Sequence, residues 1–504
     1  MQDFEIIISI RARLIATWLL MMVGLTSQAL PTDSICVPDS DFVELPVLSS
    51  AKHNRHPWRT VGEIILIQST INTWGRYVMD EPYAQTTLKS IGRNFKSSLV
   101  WDNDNFYLNN LGHTLQGALV FNSARSNGYS YWESVPVTIA GSFLWEYVGE
   151  RDKPSINDMI TTPLAGSLFG ECSHRLSNEL IDNQATGVIR FVREATTALI
   201  NPVEGFHRII SGKAWRVLPN DEPKPQVNIS GSYSVGGRYL SDANNSHQGG
   251  QLYISLAMDY GNMADGESHN TPFDYMSIDA ALAVGKGQHL LSHFRLTGRI
   301  CSTPLKMNGT AYGELGLYQF FNYEDTNLPS DTLPRSPFPF GEMGSLGPGF
   351  QFYFPHLTPR IAFQQQVYAH GIILGAVESD YYKFDSRHYN MGSGYGLSSV
   401  SRLTWQHIGN LQLRANYMHL YTWKGYEPRN LSELSQDDCS YLNVMGDHSN
   451  ARLLSLSLQT RINLSPRLGI TLGSSYYHRY THYRYHPNRH AESYELRTGL
   501  DWQF

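Results

Sequence analysis

The chain has 504 residues, of which 41% are hydrophobic and 17% charged, and its formal net charge at pH 7 is −6. This length allows about three domains of ordinary size, and the slightly acidic balance excludes the basic face that a nucleic-acid partner requires. The four cysteines (Cys36, Cys172, Cys301 and Cys439) show no C-x-x-C spacing, so the sequence implies neither a zinc site nor a disulfide framework.

The N-terminus has the pattern of an export signal. Arg11 and Arg13 precede an apolar run that starts at Leu14, and Ser27-Gln28-Ala29 supplies a small-residue cleavage site. The run is shorter than the roughly 20 residues that a helix needs to cross a bilayer. We therefore expect a signal peptide over residues 1–29, followed by an irregular segment over 30–60. No later segment is apolar enough to cross as a helix, so any membrane role falls to strands.

A helical domain is predicted over residues 61–220, where the apolar residues follow a helical period. The expected helices are Ile64–Tyr77, His113–Ser126, Ser134–Val148, Ser155–Leu180, Gly187–Leu199 and Pro202–Ser211. Ser155 and Asp158 have the spacing of a capping box, with Asp in place of Glu. Gly166-x-x-x-Gly170 permits close helix approach, either at a membrane-embedded interface or within a small helical bundle, and the bundle is the simpler explanation.

One long stretch of this region resembles a known family. The segment Trp101–Phe106 (WDNDNF) is followed by further matching positions, and together they resemble the uncharacterised family DUF3943 over roughly residues 65–215. The matching positions after the first segment are Asn109, Gly112, His113, Gly117, Ala124, Arg125, Gly128, Glu133, Ser134, Gly141, Ser142, Trp145, Glu146, Glu150, Pro154, Ser155, Asp158, Gly166, Gly170, Glu171, Asn201, Pro202, Gly205, Phe206 and Arg208. The resemblance implies a following barrel and an outer-membrane location. It implies no activity, because the family has none assigned.

Five polar residues of the helical domain are candidates for catalysis: His113, Glu146, Asp158, Glu171 and His174. All lie on or beside apolar helices, where a histidine–carboxylate pair could carry out acid–base chemistry on a lipid. His113, Glu171 and His174 are the candidates for a mononuclear metal site. A di-iron site is disfavoured because Glu171-x-x-His174 is a single copy of an element that such sites use twice. The plainest interpretation is a buried network that fixes helix packing. No cofactor is implied.

The segment Asp102–Asn105 has a calcium-like composition. Phe106 and Tyr107 break the EF-hand spacing, so these side chains are expected to cap the helix near Gly112 or to hydrogen-bond a turn.

From about Val227 the sequence alternates between polar and apolar residues with period 2, which predicts β-strands. Twelve strands are expected, an even number as in single-chain bacterial barrels. They lie near residues 225–236, 249–262, 272–287, 290–303, 307–323, 340–355, 358–374, 388–406, 411–424, 449–463, 467–482 and 491–504. Tight turns mostly alternate with long connections, as expected if all long loops emerge on one side.

The last strand ends on three apolar residues of one face, Leu500, Trp502 and Phe504. This ending is similar to the signal by which outer-membrane barrels are recognised for assembly. On the other face, and at matching positions of other strands, charged residues are expected to line a hydrated or ion-paired lumen. These residues are Arg295, Arg299, Arg414, Arg461, Arg497, Glu495 and Asp501.

Aromatic and histidine residues concentrate at the strand ends. Tyr381-Tyr382, Tyr476-Tyr477 and Tyr483 are expected in interfacial girdles. His478, His482, His486 and His490 suggest either a metal- or heme-capture site or an aromatic and cationic rim that faces lipopolysaccharide phosphates, and the rim suits their position better.

These patterns predict an α+β protein in the outer membrane, with a helical domain (61–220) on the periplasmic side and a transmembrane antiparallel β-barrel (225–504). Three functions stay open. The barrel is a narrow pore or transporter with the helices as plug or gate, or it is a structural component that docks a periplasmic partner. Alternatively, the chain is an outer-membrane enzyme that acts on lipid or envelope glycan. Outer-membrane lipid, lipopolysaccharide and the barrel assembly machinery are the expected partners.

Overall fold

The computed structural model describes residues 55–101, 104–219, 227–242, 248–285, 290–307, 309–324, 339–382, 388–425 and 443–504. The expected signal peptide, Cys36 and Cys439 lie outside these residues. Seven α-helices precede twelve strands in the described chain, which confirms the α+β class.

The helices are α1 (Pro57–Tyr77), α2 (Leu88–Asn94), α3 (His113–Arg125), α4 (Tyr131–Leu144), α5 (Ile156–Leu180), α6 (Gly187–Ile200) and α7 (Pro202–Ile210). A 3₁₀ turn covers Pro82–Ala84, and π-helical turns cover Leu108–Gly112 and Trp145–Gly149. A capping box between Ser130 and Glu133 starts α4. At α5 the hydroxyl of Ser155 accepts from the Asp158 amide.

Helices α3 and α5 cross at closely spaced glycines. A Cβ atom on Gly166 would lie 2.6 Å from the Cα of Gly117, and a Cβ on Gly170 would lie 2.5 Å from Cδ1 of Phe121. Side chains at these positions would separate the two helices. The predicted glycine spacing therefore serves helix packing within the bundle.

The strands are β1 (Ile229–Asp242), β2 (Gln248–Tyr260), β3 (Met276–Val284), β4 (Leu291–Leu305), β5 (Tyr312–Glu324), β6 (Phe340–Thr358), β7 (Ile361–Glu378), β8 (Tyr389–Trp405), β9 (Gly409–Thr422), β10 (Ser449–Asn463), β11 (Leu468–Tyr483) and β12 (Arg489–Gln503). Each pairs antiparallel with its neighbours in sequence, and β1 pairs with β12 to close the barrel. The prediction of twelve strands is confirmed. We call the end where β1 begins and β12 ends the turn end, and the opposite end the loop end.

Contacts across the barrel identify the inward faces. The Arg414 guanidinium on β9 lies 3.2 Å from the Asp279 carboxylate on β3, and Arg497 on β12 donates to the Tyr253 hydroxyl on β2 at 2.9 Å. These strands are not neighbours, so the contacts pass through the lumen. Residues of opposite parity, such as Leu458 and Leu496, are exposed on the outer face.

The helical domain packs against the outer face of the barrel. The Phe169 ring on α5 lies 5.0 Å from the Phe294 ring and 4.8 Å from the Phe321 ring. Phe294 and Phe321 alternate along β4 and β5 with the inward-facing Arg295 and Asn322. The expectation that the helices plug the lumen is therefore wrong for the described helices.

Helix α5 follows the barrel wall from one end to the other. Near its start, Asn157 bonds Asn109, which donates to the Tyr389 hydroxyl at the loop end of β8. Near its end, Glu179 accepts from the Tyr260 hydroxyl at the turn end of β2 at 3.3 Å. The 25 residues of α5 span about 37 Å, which lets one helix contact both ends.

Midway along α5, a polar bridge joins helix and wall. The Tyr131 hydroxyl donates to Oε1 of Gln319 at 3.0 Å, and Nε2 of Gln319 donates to the Leu164 carbonyl at 2.8 Å. A buried Gln with both ends bonded fixes the register of the helices on the sheet. Among the described helices, none is both long and apolar enough to cross a membrane by itself.

The α3–α5 crossing yields a first prediction. Gly117→Ala should destabilise the helical domain by about 1–3 kcal/mol, because the added Cβ enters a filled crossing. Gly62→Ala on α1 is the matched control, because nothing lies within 4 Å of its added Cβ, and it should be neutral or stabilising by about 0.5–1 kcal/mol. Limited proteolysis of the folded protein in detergent, followed by mass spectrometry of the helical region, measures both. Equal protection of the two variants would contradict the close crossing.

Candidate functional site

Three of the five predicted site residues meet in one polar cluster at the loop end of the helical domain. Nε2 of His113 lies 3.3 Å from Oδ1 of Asp158 and 3.3 Å from Oδ2 of Asp104. His113 is 4% exposed and Asp158 1%, whereas the Asp104 side chain is 37% exposed. The imidazole thus links a buried carboxylate to a carboxylate at the surface.

A second layer of amides and hydroxyls holds the buried carboxylate. Nδ2 of Asn157 donates to Asp158 at 3.1 Å and to Oδ1 of Asn109 at 2.7 Å. The Ser155 hydroxyl donates to Oδ1 of Asn157 at 2.8 Å. Oε2 of Glu146 accepts from the Ser155 amide at 2.7 Å. Glu146 therefore supports the cluster through the Ser155 backbone.

The barrel also contributes to this cluster. Nδ2 of Asn109 donates to the Tyr389 hydroxyl at 2.6 Å, and Phe106 packs against the Tyr389 ring at 5.5 Å. Tyr389 lies on the outer face of β8 and is fully buried. The cluster consequently forms only where helices and barrel wall meet.

Both π-helical turns of the described chain lie at this cluster. The turn Leu108–Gly112 carries Asn109 and leads directly into His113, and the turn Trp145–Gly149 carries Glu146. A π-turn adds one residue to a helical turn, which redirects side chains and is frequent at functional sites. Two such turns in one cluster favour a site that requires specific side-chain placement.

The sequence predicts a capping role for the segment that contains Asp104, which differs from the position of Asp104 in the structure. Its segment was expected to cap a helix, and Oδ1 of Asn105 does accept from the Leu108 amide at 2.8 Å. Asp104 instead faces His113. Asp102 and Asn103 of the same segment lie outside the described residues. Asn157 and Asp104 were not among the predicted site residues, although the WDNDNF motif gave a signal for Asp104.

Glu171 and His174 lie elsewhere, so the structure does not bring the three candidate metal ligands together. Glu171 is about 20 Å further along α5 than Asp158 at 1.5 Å per residue. Its buried carboxylate accepts from Nε and Nη2 of Arg125 at 2.8 and 3.2 Å and from Nε of Arg175 at 3.0 Å. Nε2 of His174 lies 3.0 Å from the Asn178 amide nitrogen. Over the described ranges, no group of three His, Cys, Asp or Glu side chains is placed to hold a metal.

The middle of the lumen is filled by ion pairs. Arg295 lies 3.1 Å from Asp279 and Arg497 lies 2.8 Å from Glu495, whereas Arg461 is paired with Asp501 near the turn end. All the charged residues predicted to face inward do so, and the interior is ion-paired.

Towards the loop end the lumen is closed by a packed apolar cluster. Its buried members are Phe340, Ile372, Val377, Met418, Leu420, Ala451, Leu453 and Tyr477. Tyr477 and Tyr483 are buried, and both alternate with outward-facing residues of β11. They therefore lie inside the barrel and do not belong to an interfacial girdle. Tyr476 faces outward, as predicted.

Towards the turn end the lumen contains a polar cavity of about 420 Å³. Asp259, Asp265, Arg402 and Arg414 are the charged residues that line it. The connection between β2 and β3 covers one side of it, because Nη1 of Arg299 donates to the Met263 carbonyl at 3.2 Å. Arg414 lines this cavity and pairs with Asp279, so the cavity reaches the ion pairs of the lumen. We call it the vestibule.

The β2–β3 connection is held by a histidine between two carboxylates. Nε2 of His269 lies 2.9 Å from Oδ1 of Asp265, and Nδ1 lies 2.6 Å from Oδ2 of Asp274. Asp274 also accepts from Nε of Arg299 at 2.8 Å. The hydrogen bond to Asp265, followed by the one to Asp274, raises the pKa of His269 to about 9.

This pKa predicts that the connection loosens in base. Because the folded-state pKa exceeds the ordinary value of 6.5, the stabilisation is complete below about pH 6.5 and is lost as the pH rises through about 9. Hydrogen exchange of residues 262–274, corrected for the intrinsic pH dependence of exchange, should show protection falling between these values. His269→Gln should be less protected at pH 6 and lack this change. An identical pH profile in wild type and variant would disprove the assignment.

Residues 98–203 match the family model DUF3943, a domain of unknown function, in agreement with the resemblance seen in the sequence. No curated protein matches the chain. Among solved structures, the NanC porin is similar at 11% identity over 54% of this chain and 99% of that one, with a TM-score of 0.25. The COG4313 outer membrane channel from Pseudomonas putida F1 is similar at 12% identity over 57% of this chain and 100% of that one, also at 0.25. Likenesses this distant carry no information on function.

Proposed function

We propose that this chain is an outer-membrane enzyme whose helical domain acts on a membrane lipid from the outer surface of the barrel. The observation that carries the proposal is the position of the Asp104–His113–Asp158 cluster. It lies at the loop end, between the helices and the outer face of β8, with its outermost carboxylate partly exposed.

The outer wall is where a membrane lipid would reach this cluster. Exposed apolar side chains lie on segments next to it, including Leu99, Leu115 and Val148. Val100 and Ser155 form a backbone bridge, which brings Leu99 close to the cluster residues. An apolar rim around a polar cluster suits an amphiphilic substrate better than a free glycan.

The cluster is suited to general acid–base hydrolysis. Water would add its oxygen to the ester carbon or phosphorus of the lipid and give a proton to the Asp104 carboxylate. The leaving oxygen would take that proton as its bond to carbon or phosphorus breaks. Asp158, buried and bonded by Asn157, approaches the same atom as Asp104, Nε2 of His113, and would hold the imidazole in place beside Asp104.

The outer-membrane location rests on the barrel and on two sequence patterns. Exposed leucines cover the outer face of β10–β12, as expected of a lipid-facing barrel. The export signal and the terminal Leu500, Trp502 and Phe504 point to secretion and to the barrel assembly machinery in a Gram-negative envelope. With the turn end in the periplasm, the cluster lies at the level of the outer leaflet.

A narrow solute pathway is the second candidate, favoured by the vestibule at the turn end. The ion pairs and the apolar cluster above it would have to move for a solute to pass. Because the described helices lie outside the lumen, deletion of residues 61–220 should not create or enlarge conductance steps in planar bilayers. Discrete steps from the intact chain would support the pathway over the enzyme.

The enzyme proposal predicts that His113→Gln and Asp104→Asn lose about 10²-fold or more of a lipid-modifying activity, because each breaks the proton pathway. The assay incubates full-length protein with vesicles that contain ester-linked phospholipid and phosphorylated glycolipid, and follows the lipids by mass spectrometry. His174→Gln is the matched control, because His174 contacts Asn178 outside the cluster, and it should retain activity.

Heat-modifiable gel mobility shows that each variant has folded its barrel. Wild-type protein that leaves every lipid unchanged, in vesicles and in cells that overexpress it, would disprove the enzyme proposal. Equal losses in His113→Gln and His174→Gln would assign the cluster to helix packing.

A further inference from the structure

A row of cationic and aromatic side chains crosses the outer face of the barrel near the loop end. His419 on β9 pairs in register with Arg452 on β10, Arg452 pairs with Tyr480 on β11, and Tyr480 pairs with His490 on β12. Residues in register across adjacent strands point to the same face. The four therefore form a continuous row, which we call the cationic row.

The cationic row faces outward. Its members alternate with Leu453, which belongs to the apolar cluster in the lumen, and with Arg479, which pairs with Asp380 inside the barrel. Arg452 and His490 are exposed. Over the described chain, Arg452 has no carboxylate within salt-bridge distance, so its charge is available to a ligand.

Aromatic rings support the row on both sides. The His419 ring stacks on Tyr421 at 4.3 Å and contacts Tyr395 at 5.5 Å. The Tyr480 and His490 rings are 4.6 Å apart. Such amphipathic rings concentrate where a barrel leaves the hydrocarbon and meets lipid head groups.

The position of the cationic row along the barrel axis is the one expected for residues that contact lipid head groups. On the turn-end side, Leu456, Leu458, Leu472 and Leu496 are exposed on the same outer face. Arg452 is about 13 Å along β10 from Leu456 at about 3.3 Å per residue. The outer face thus changes from leucine to histidine, tyrosine and arginine within one strand length.

Among the described residues nearby, the ionisable side chains are mostly basic. His478 and His482 also face outward on β11, and Arg484 is exposed just beyond that strand. Within the described chain, Glu492 is the acidic residue close to these side chains, 4.0 Å from His478. The metal-capture alternative is disfavoured, because the four histidines of residues 478–490 belong to no group placed to hold a metal within the described chain.

We propose that the cationic row binds the phosphate of an anionic lipid head group. The guanidinium of Arg452 would donate to the phosphate oxygens, and Tyr480 and the exposed His490 would contact the same head group, whereas His419 is buried beneath its tyrosine neighbours. The acyl chains would lie on the exposed leucines below. The site needs no acid–base chemistry at His113 and so stands apart from the proposed enzyme function.

The row is nevertheless continuous with the helical domain. The outward residues of β9 lead from His419 through Tyr421 to Trp423, whose ring lies 5.1 Å from the Trp101 ring. A lipid held on the row would thus lie beside the edge of the helical domain.

The test is lipid binding by the full chain, measured by native mass spectrometry in detergent with phosphatidylglycerol and phosphatidylcholine as probes. Wild type should prefer phosphatidylglycerol, and Arg452→Gln should weaken its binding about fivefold. Arg467→Gln is the matched control, because Arg467 lies in the β10–β11 turn at the opposite end of the barrel, and it should bind as wild type does.

Equal binding of the two lipids by wild type would overturn the proposal, as would equal losses in the two variants. Millimolar inorganic phosphate should not displace phosphatidylglycerol. Full displacement would mean that the row binds a soluble phosphate, and would likewise overturn it.

Discussion

The packing of α5 along the outward faces of β4, β5 and β6 is the contact on which the rest of the structure depends. It joins Phe169 to Phe294 and Phe321 and anchors Gln319 between Tyr131 and the Leu164 carbonyl. Once α5 is fixed to the wall at both ends, α3 is fixed too, because the Gly117–Gly166 crossing allows little sliding. The His113–Asp158 contact joins these same two helices. The packing of α5 on the barrel wall therefore determines the distance between His113 and Asp158.

The same contact gives the barrel two different outer surfaces. Below the cationic row, β10–β12 carry exposed leucines on their outward faces, whereas Gly341 and Gly344 of β6 leave room for helix side chains. A Cβ at Gly344 would lie 2.9 Å from Cδ1 of Leu164. Small residues at outward positions permit close approach, and large ones contact lipid. The two surfaces meet near β8 and β9, where Trp423 contacts Trp101. The polar cluster and the cationic row lie on either side of this boundary.

Period-2 alternation was enough to predict the barrel, although it did not reveal the register shifts that interrupt the alternation in β3 to β8. The family motif likewise identified His113, Glu146 and Asp158. Alternation could not reveal that outward residues such as Phe294 and Phe321 are covered by helices, because lipid and a helix both favour an apolar face. The separation of Glu171 and His174 from His113 was hidden from the sequence for a related reason. Helical spacing places them one turn apart but does not show that Arg125, from another helix, already neutralises Glu171.

The lumen is occupied by paired charges, and the helices lie outside the barrel. The polar groups that can still react with or bind a ligand are therefore on the outer surface. In the lumen, Arg295, Arg461 and Arg497 each have a carboxylate partner. Breaking such a buried ion pair costs free energy. A passing solute would have to replace those partners. At the outer wall, by contrast, Asp104 is partly exposed, and Arg452 has no carboxylate partner within the described chain. Groups that are held in place yet still accessible are the ones that can exchange a proton or bind a phosphate. On this protein they lie on the outer surface of the barrel, within reach of lipid.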